Sequence, residues 1–125
     1  MCSNPLLNFK FPNTTLNYYF SDSARRTKNQ IKTLILQRPI SISLNADDFT
    51  TFAPRRVGQV LRCNPLNSAR GRQHNHAVFL VGWTTDAWII KNSWGTDWGN
   101  AGYVNVSMNT NYDCGIGFGL YSLTV

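Results

Sequence analysis

His76 and Asn92 are the two side chains whose types and spacing could do chemistry together. They flank a stretch that reads as a β-hairpin, Ala77 to Trp83 and Trp88 to Lys91 joined by Thr84-Thr85-Asp86-Ala87. With the turn centred near Thr85-Asp86, residues facing each other across the strands have numbers summing to about 171, which sets His76 opposite roughly Gly95. Asn92 is about three residues from that point, and at about 3.3 Å per residue both side chains reach the same open end of the sheet. A polar side chain beside an imidazole fixes its tautomer and orientation, the role of a third triad member. On spacing alone the plainer reading has the better claim, a strand-end histidine and a turn-forming asparagine. His74 lies two residues before His76 and shares its face if the strand continues, which raises metal binding. Two imidazoles with no nearby carboxylate or thiol rarely hold zinc, so neither a metal nor a cofactor is expected.

The elements around this pair read as an α+β domain. Residues 1 to 20, rich in Asn, Pro, Phe and Tyr, lack a steady period and read as an extended segment with turns. Ser21 to Gln37 reads as a helix, with Ser21, Asp22 and Ser23 as N-caps, Ala24, Ile31, Leu34 and Ile35 near one face, and Pro39 as the stop. Arg25 and Arg26 fit that assignment poorly, because cations oppose the helix dipole in a first turn. Ile40 to Leu44 alternates apolar with serine, as a half-buried strand does. From Asp47 and Asp48 to Gln73 the chain reads as loop, punctuated by Pro54, Gly58, Pro65 and Gly71. Tyr103 to Val106 and Phe118 to Val125 supply further strands. The expected architecture is one early helix followed by an antiparallel sheet curled into a barrel-like layer.

At 125 residues, 42% hydrophobic and 13% aromatic, the chain can build one core, so residues 1–125 are expected to be one domain. No apolar run approaches the roughly 18 residues that span a bilayer, and the Met1-Cys2-Ser3-Asn4-Pro5 start lacks the features of a signal peptide. The net charge is +6, with 12 Lys and Arg against 6 acidic residues, all of them Asp. The cations are spread along the chain (Arg25, Arg26, Lys28, Lys32; Arg55, Arg56; Arg70, Arg72) and follow no nucleic-acid motif, so neither nucleic acid nor membrane is expected as a partner. Cys2, Cys63 and Cys114 are too few and too far apart for a zinc finger. Two Asn-x-Ser/Thr tripeptides, at Asn13 and Asn105, lend secretion weak support.

Longer motifs surround the pair. Asn75-His76-Ala77-Val78 with Val81-Gly82-Trp83, then Trp88-Ile89-Ile90-Lys91-Asn92-Ser93-Trp94-Gly95 with Trp98-Gly99 and Gly102-Tyr103, resemble the two signatures of the right-hand domain of papain-like cysteine peptidases. The resemblance implies His76 as general base and acid, Asn92 as its orienting partner, and Trp94 as the indole that shields their hydrogen bond, with Asn75 and Ser93 in support. It extends over most of the chain, from the helix before Arg38-Pro39 through Phe49 to the C-terminal strand. It implies a Cys63–Cys114 disulfide, closing a loop of about 51 residues worth about 4 kcal/mol in the chain-entropy model. It matches Cys2 to a cysteine that pairs with the left-hand domain in relatives, and places Ser43, His74 and Gly119 near the pocket for the substrate's second residue.

Two features depart from the family pattern. Asn100-Ala101 follows Trp98-Gly99 where relatives often have Glu. The nucleophile is missing: the family's Cys follows Gly-Ser and opens a long helix, whereas Cys2 precedes Ser3-Asn4-Pro5. The expectation is therefore the C-terminal half of a cysteine endopeptidase, inactive alone. The catalytic Cys and an oxyanion-hole Gln would come from an N-terminal left-hand domain or chain, and the substrate is a polypeptide. A second expectation is an inactive papain-like module in a larger assembly. The compartment follows the same division, lysosomal, vacuolar or secreted for the enzyme and a larger intracellular assembly for the module. Around Trp94 and His76 an apolar surface covered by the partner is expected.

Overall fold

The structure is a computed structural model describing residues 15–20, 25–54, 56 and 58–124. Alternation of apolar and polar residues organises it. In β2 (Ile40–Leu44) the isoleucines and Leu44 point inward and the serines do not. In β4 (His76–Trp83) Val78 and Leu80 are buried while Ala77 and Phe79 face out. Trp88 and Ile90 of β5 (Ala87–Lys91) and Val104 and Val106 of β6 (Tyr103–Ser107) continue that inner face. Each such side chain contributes about 1.5–3 kcal/mol when taken out of water. With β1 (Thr15–Phe20), β3 (Val60–Leu61) and β7 (Gly119–Thr124) the sheet has seven strands in the order β1-β7-β2-β4-β5-β6-β3.

The α+β class stands, with two corrections to the sheet. It is open, because β1 and β3 lie at its two ends and do not pair, so the described residues form no closed barrel. It is also mixed, because β3 runs parallel to β6 while the other neighbours are antiparallel. A two-residue strand such as β3 carries too little pattern to be seen locally. The stretch expected to be loop holds, besides β3, a 3₁₀ turn at Asp47–Phe49 and a short helix, α2 (Pro65–Ser68), capped by the Asn64 side chain with Pro at its first position. Asn105 sits mid-strand between Ile89 and Val60, unlike the surface loop a glycan acceptor needs.

The early helix, α1 (Lys28–Ile35), is shorter than expected. Its N-cap is Thr27, whose hydroxyl accepts from the Gln30 amide while the Gln30 side chain accepts from the Thr27 amide. Of the expected caps, Ser21, Asp22 and Ser23 lie outside the described residues, as does Ala24. Ile31 and Ile35 carry the buried face, and Leu34 packs against it.

Arg25 precedes the helix and so does not face its dipole, although Lys28 still places a cation in the first turn. Its guanidinium donates to the carbonyls of Thr110 and Ser68, pairs with the Asp113 carboxylate at 3.3 Å and covers the Phe118 ring. Beside it a disulfide joins Cys63 to Cys114, with Cα atoms 5.3 Å apart and both cysteines buried. The Cys114 amide donates to Ser68 Oγ and its carbonyl accepts from the Asn45 amide. Burial pushes the Asp113 carboxyl up to about 7, with Arg25 and the Gly115 amide pulling the other way.

Candidate active site

His76 opens β4, paired with Leu44 at the end of β2, and Asn92 follows the last residue of β5. The hairpin between them is closed by Thr84, whose amide donates to the Ala87 carbonyl and whose hydroxyl accepts from the Ala87 amide. Its partners sum to 171 near the tip and to 170 beyond an irregularity between Leu80 and Gly82. That slip of one residue helps bring the two side chains level. His76 Nε2 lies 2.7 Å from Asn92 Oδ1. The Ser93 amide donates to the same Oδ1 at 2.8 Å, which identifies the atom facing the ring as oxygen. An amide oxygen only accepts, so Nε2 carries the proton and Nδ1 keeps the lone pair that can accept one. Asn92 is buried, anchored through its own amide to the Gly102 carbonyl, while its Nδ2 has no partner among the described residues.

Trp94 lies over the imidazole, with centroids 4.9 Å apart and planes tilted by 34°. An indole face screens the hydrogen bond from water and stabilises a charged imidazole through its quadrupole. Trp94 is held edge-on by Phe49 and Trp98, and Phe49 also meets His76 edge-on. Phe49 is fully buried and stacks on Trp98, whose Nε1 donates to the Phe49 carbonyl. The loop that carries the tryptophans depends on Gly99, where a Cβ would come within 2.5 Å of the Tyr103 carbonyl oxygen. The roles of Phe49 and Trp98 as the support of this site were not legible in the sequence, since Phe49 lies far from both motifs along the chain.

Asn75 and Ser93, expected as support, do different things. Ser93 offers its amide to Asn92, as above. Asn75 points away from the pair: its Oδ1 accepts from the Ala46 amide and its Nδ2 donates to Asp47 Oδ1, pinning the entry to β4. Ser43, His74 and Gly119 do come together. Ser43 and Gly119 are register partners across β2 and β7, and Ser43 Oγ is 2.7 Å from His74 Nδ1. Gly115 makes room for this ring, since a Cβ there would lie 2.8 Å from His74 Nε2. His74 and His76 thus turn to different partners, and no cluster of three or more potential metal ligands occurs among the described residues.

The apolar surface expected near the pair is partly present. Trp94 is 42% exposed and Phe79 51%. Phe79 lines a pocket of about 310 Å³ together with Ser41, Ala77, Lys91, Asn92 and Ser93, so the lining mixes apolar and polar side chains. No helix among the described residues is long and apolar enough to cross a membrane.

Open α+β sheet, paired imidazole and carboxamide, and indole lid together define a class, and sequence comparison agrees with it. The family described as papain family cysteine protease matches residues 6–123, and the chain belongs to that family. It is 43% identical to cathepsin K of Gallus gallus over 83 residues, 62% of this chain and 23% of that protein. It is 37% identical to digestive cysteine proteinase 3 of Homarus americanus over 83 residues, 62% of this chain and 24% of that protein. Among solved structures it is similar to a Carica candamarcensis cysteine protease in complex with E-64, with a TM-score of 0.66 and 28% identity over 87% of this chain and 47% of that one. The chain thus spans about a quarter of the length of these curated relatives.

Proposed function

We propose that these residues form the right-hand half of a papain-like cysteine endopeptidase, with His76 and Asn92 as catalytic residues and the nucleophilic cysteine supplied by another segment. The observation that carries the reading is the 2.7 Å contact between His76 Nε2 and Asn92 Oδ1 beneath Trp94. With Nε2 committed to the amide oxygen, Nδ1 takes the thiol proton. The thiolate attacks the peptide carbonyl, the imidazolium returns the proton to the departing amine, and an acyl-enzyme remains. His76 then removes a proton from water, which attacks the thioester and releases the acid. Ser43, His74 and Gly119 line the recess for a substrate side chain. Asn75 holds the strand that presents His76.

The left-hand segment docks against the face carrying Trp94 and Phe79. The exposure of these two rings supports this, as does the unpartnered Asn92 Nδ2, a donor that an acceptor on the docked segment would satisfy at a gain of about 1–3 kcal/mol. The Cys63–Cys114 disulfide and the cathepsin and digestive relatives support a lysosomal or secreted setting.

The test is to assay peptide hydrolysis by this chain with and without a candidate left-hand segment or chain carrying the cysteine, followed by a thiol-directed inhibitor. Activity that appears only in the combination and is titrated by the inhibitor is the expected result. A complex that forms but neither cleaves peptides nor reacts with the inhibitor ends the enzyme reading. One observation favours a second reading, an inactive papain-like binding module: two of the three cysteines are locked in a buried disulfide, leaving no described thiol near His76.

A further inference from the structure

A second concave site lies at the opposite end of the sheet. β4 runs from His76 to Trp83 before the hairpin tip, so about seven residues at about 3.3 Å each, about 23 Å, separate the tip from the imidazole. At that tip a groove of about 660 Å³ opens between α1, β3, the Thr85-Asp86 turn and the chain leaving β6. This volume suits a small molecule. Its walls carry three cations, Lys28, Lys32 and Arg62, and one acid, Asp86.

Three observations set these cations apart from a scattered surface charge. Lys28 and Lys32 stand one turn apart on α1, so their side chains share a face. Lys32 and Arg62 are held over aromatic faces, 5.5 Å from the Trp83 centroid and 4.0 Å from that of Tyr112, contacts that fix a cation while leaving N–H donors for an acceptor. None of the three forms an ion pair among the described residues; the two ion pairs there use Arg25 and Arg72. Asp86 accepts instead from the Thr84 hydroxyl. Ser107, buried at 4% exposure, and Thr110 add hydroxyls to the lining.

The geometry points to a binding site for a compact polyanion carrying two or three phosphate or sulfate groups, distinct from the peptidase site. A compact ligand fits better than a polymer because the cationic lining does not extend freely past the groove. Arg25, next along, already spends its guanidinium on two carbonyls and Asp113. A nucleic acid fits poorly, since no aromatic residue lines the groove to stack a base.

The experiment is isothermal titration of the protein with inorganic tripolyphosphate and, separately, with a trisulfated disaccharide, each at low and at physiological salt. Saturable one-to-one binding of at least one probe is expected, and the preferred probe names the ester class. The double variant Lys28→Gln with Lys32→Gln, and separately Arg62→Gln, lower affinity at least tenfold, the size of one lost charge-assisted hydrogen bond. Arg38→Gln, which removes the same charge from an exposed position outside the groove, leaves affinity within about twofold. Absence of saturable binding, or an equal loss from Arg38→Gln, overturns the site. Binding confined to long polyanions, with stoichiometry rising with their length, overturns the compact ligand.

Discussion

The end of the sheet that carries His76 and the region around the disulfide are built from contacts of different range and exposure. Near His76 the pair comes from two consecutive strands, its lid Trp94 is 42% exposed, and the buried Asn92 Nδ2 lacks a partner. Around Cys63 and Cys114, segments far apart in the chain interlock. Arg25 reaches Ser68, Thr110 and Asp113; Ser68 Oγ accepts from Cys114; and Gly115 donates to Asp113. The first region leaves aromatic surface exposed beside its pair; the second binds its segments together through many internal contacts, although Arg25 Nε, like Asn92 Nδ2, has no partner among the described residues.

Substitutions should separate the two regions cleanly. In the proposed two-part enzyme, His76→Ala should lower kcat/KM by at least about 10³-fold, the scale of losing a triad member, with an unchanged melting temperature. A parallel fall in stability would show that His76 is a packing residue. On the other side, Arg25→Ala should destabilise the fold by about 3 kcal/mol at pH 8, because it strips the partner from a buried carboxylate. Chemical denaturation should find a smaller loss at pH 5, where Asp113 is protonated and needs no partner. Replacing Cys63 and Cys114 by Ala together should cost about 2–4 kcal/mol in the same measurement. Circular dichroism on heating would check that the loss is global.

The subtlest distinction is in pH dependence. Asp113 is raised from 3.8 to about 7, so the folded state holds its proton more tightly than the unfolded chain does. Its contribution to stability is therefore full below about 4, declines as pH rises towards about 7, and is flat above. Asp113→Asn should remove that slope, read as the difference between the variant and the parent across pH 4 to 8. An identical slope in both would sink the assignment.

How much of this was readable beforehand depends on how local each feature is. The hairpin, the alternation of β2 and the closeness of His76 and Asn92 follow from strand period and turn chemistry, which act over a few residues. The start of α1 was misread because the helix signal around Ser21 competes with tertiary demands: Arg25 is drawn out of the helix by Ser68, Thr110 and Asp113, and Thr27 takes over the cap. Nothing near Val60 announces its parallel pairing with Asn105, and nothing near Phe49 announces that it will support Trp94 and Trp98. Lys28 and Lys32, which looked scattered in the sequence, line one groove with Arg62 of the chain beyond β3.

By itself, then, the order of residues determined most of the central strands, the hairpin and the closeness of His76 to Asn92, because those rest on periodicity and short loops, while the reading of the two as a pair came from the resemblance of the motifs around them. Folding alone decided what surrounds them: the open edges of the sheet, the aromatic support under the lid, the Arg25–Asp113 lock and the cationic groove. Each of these joins segments tens of residues apart, and such contacts are fixed by how faces pack, which no local pattern encodes.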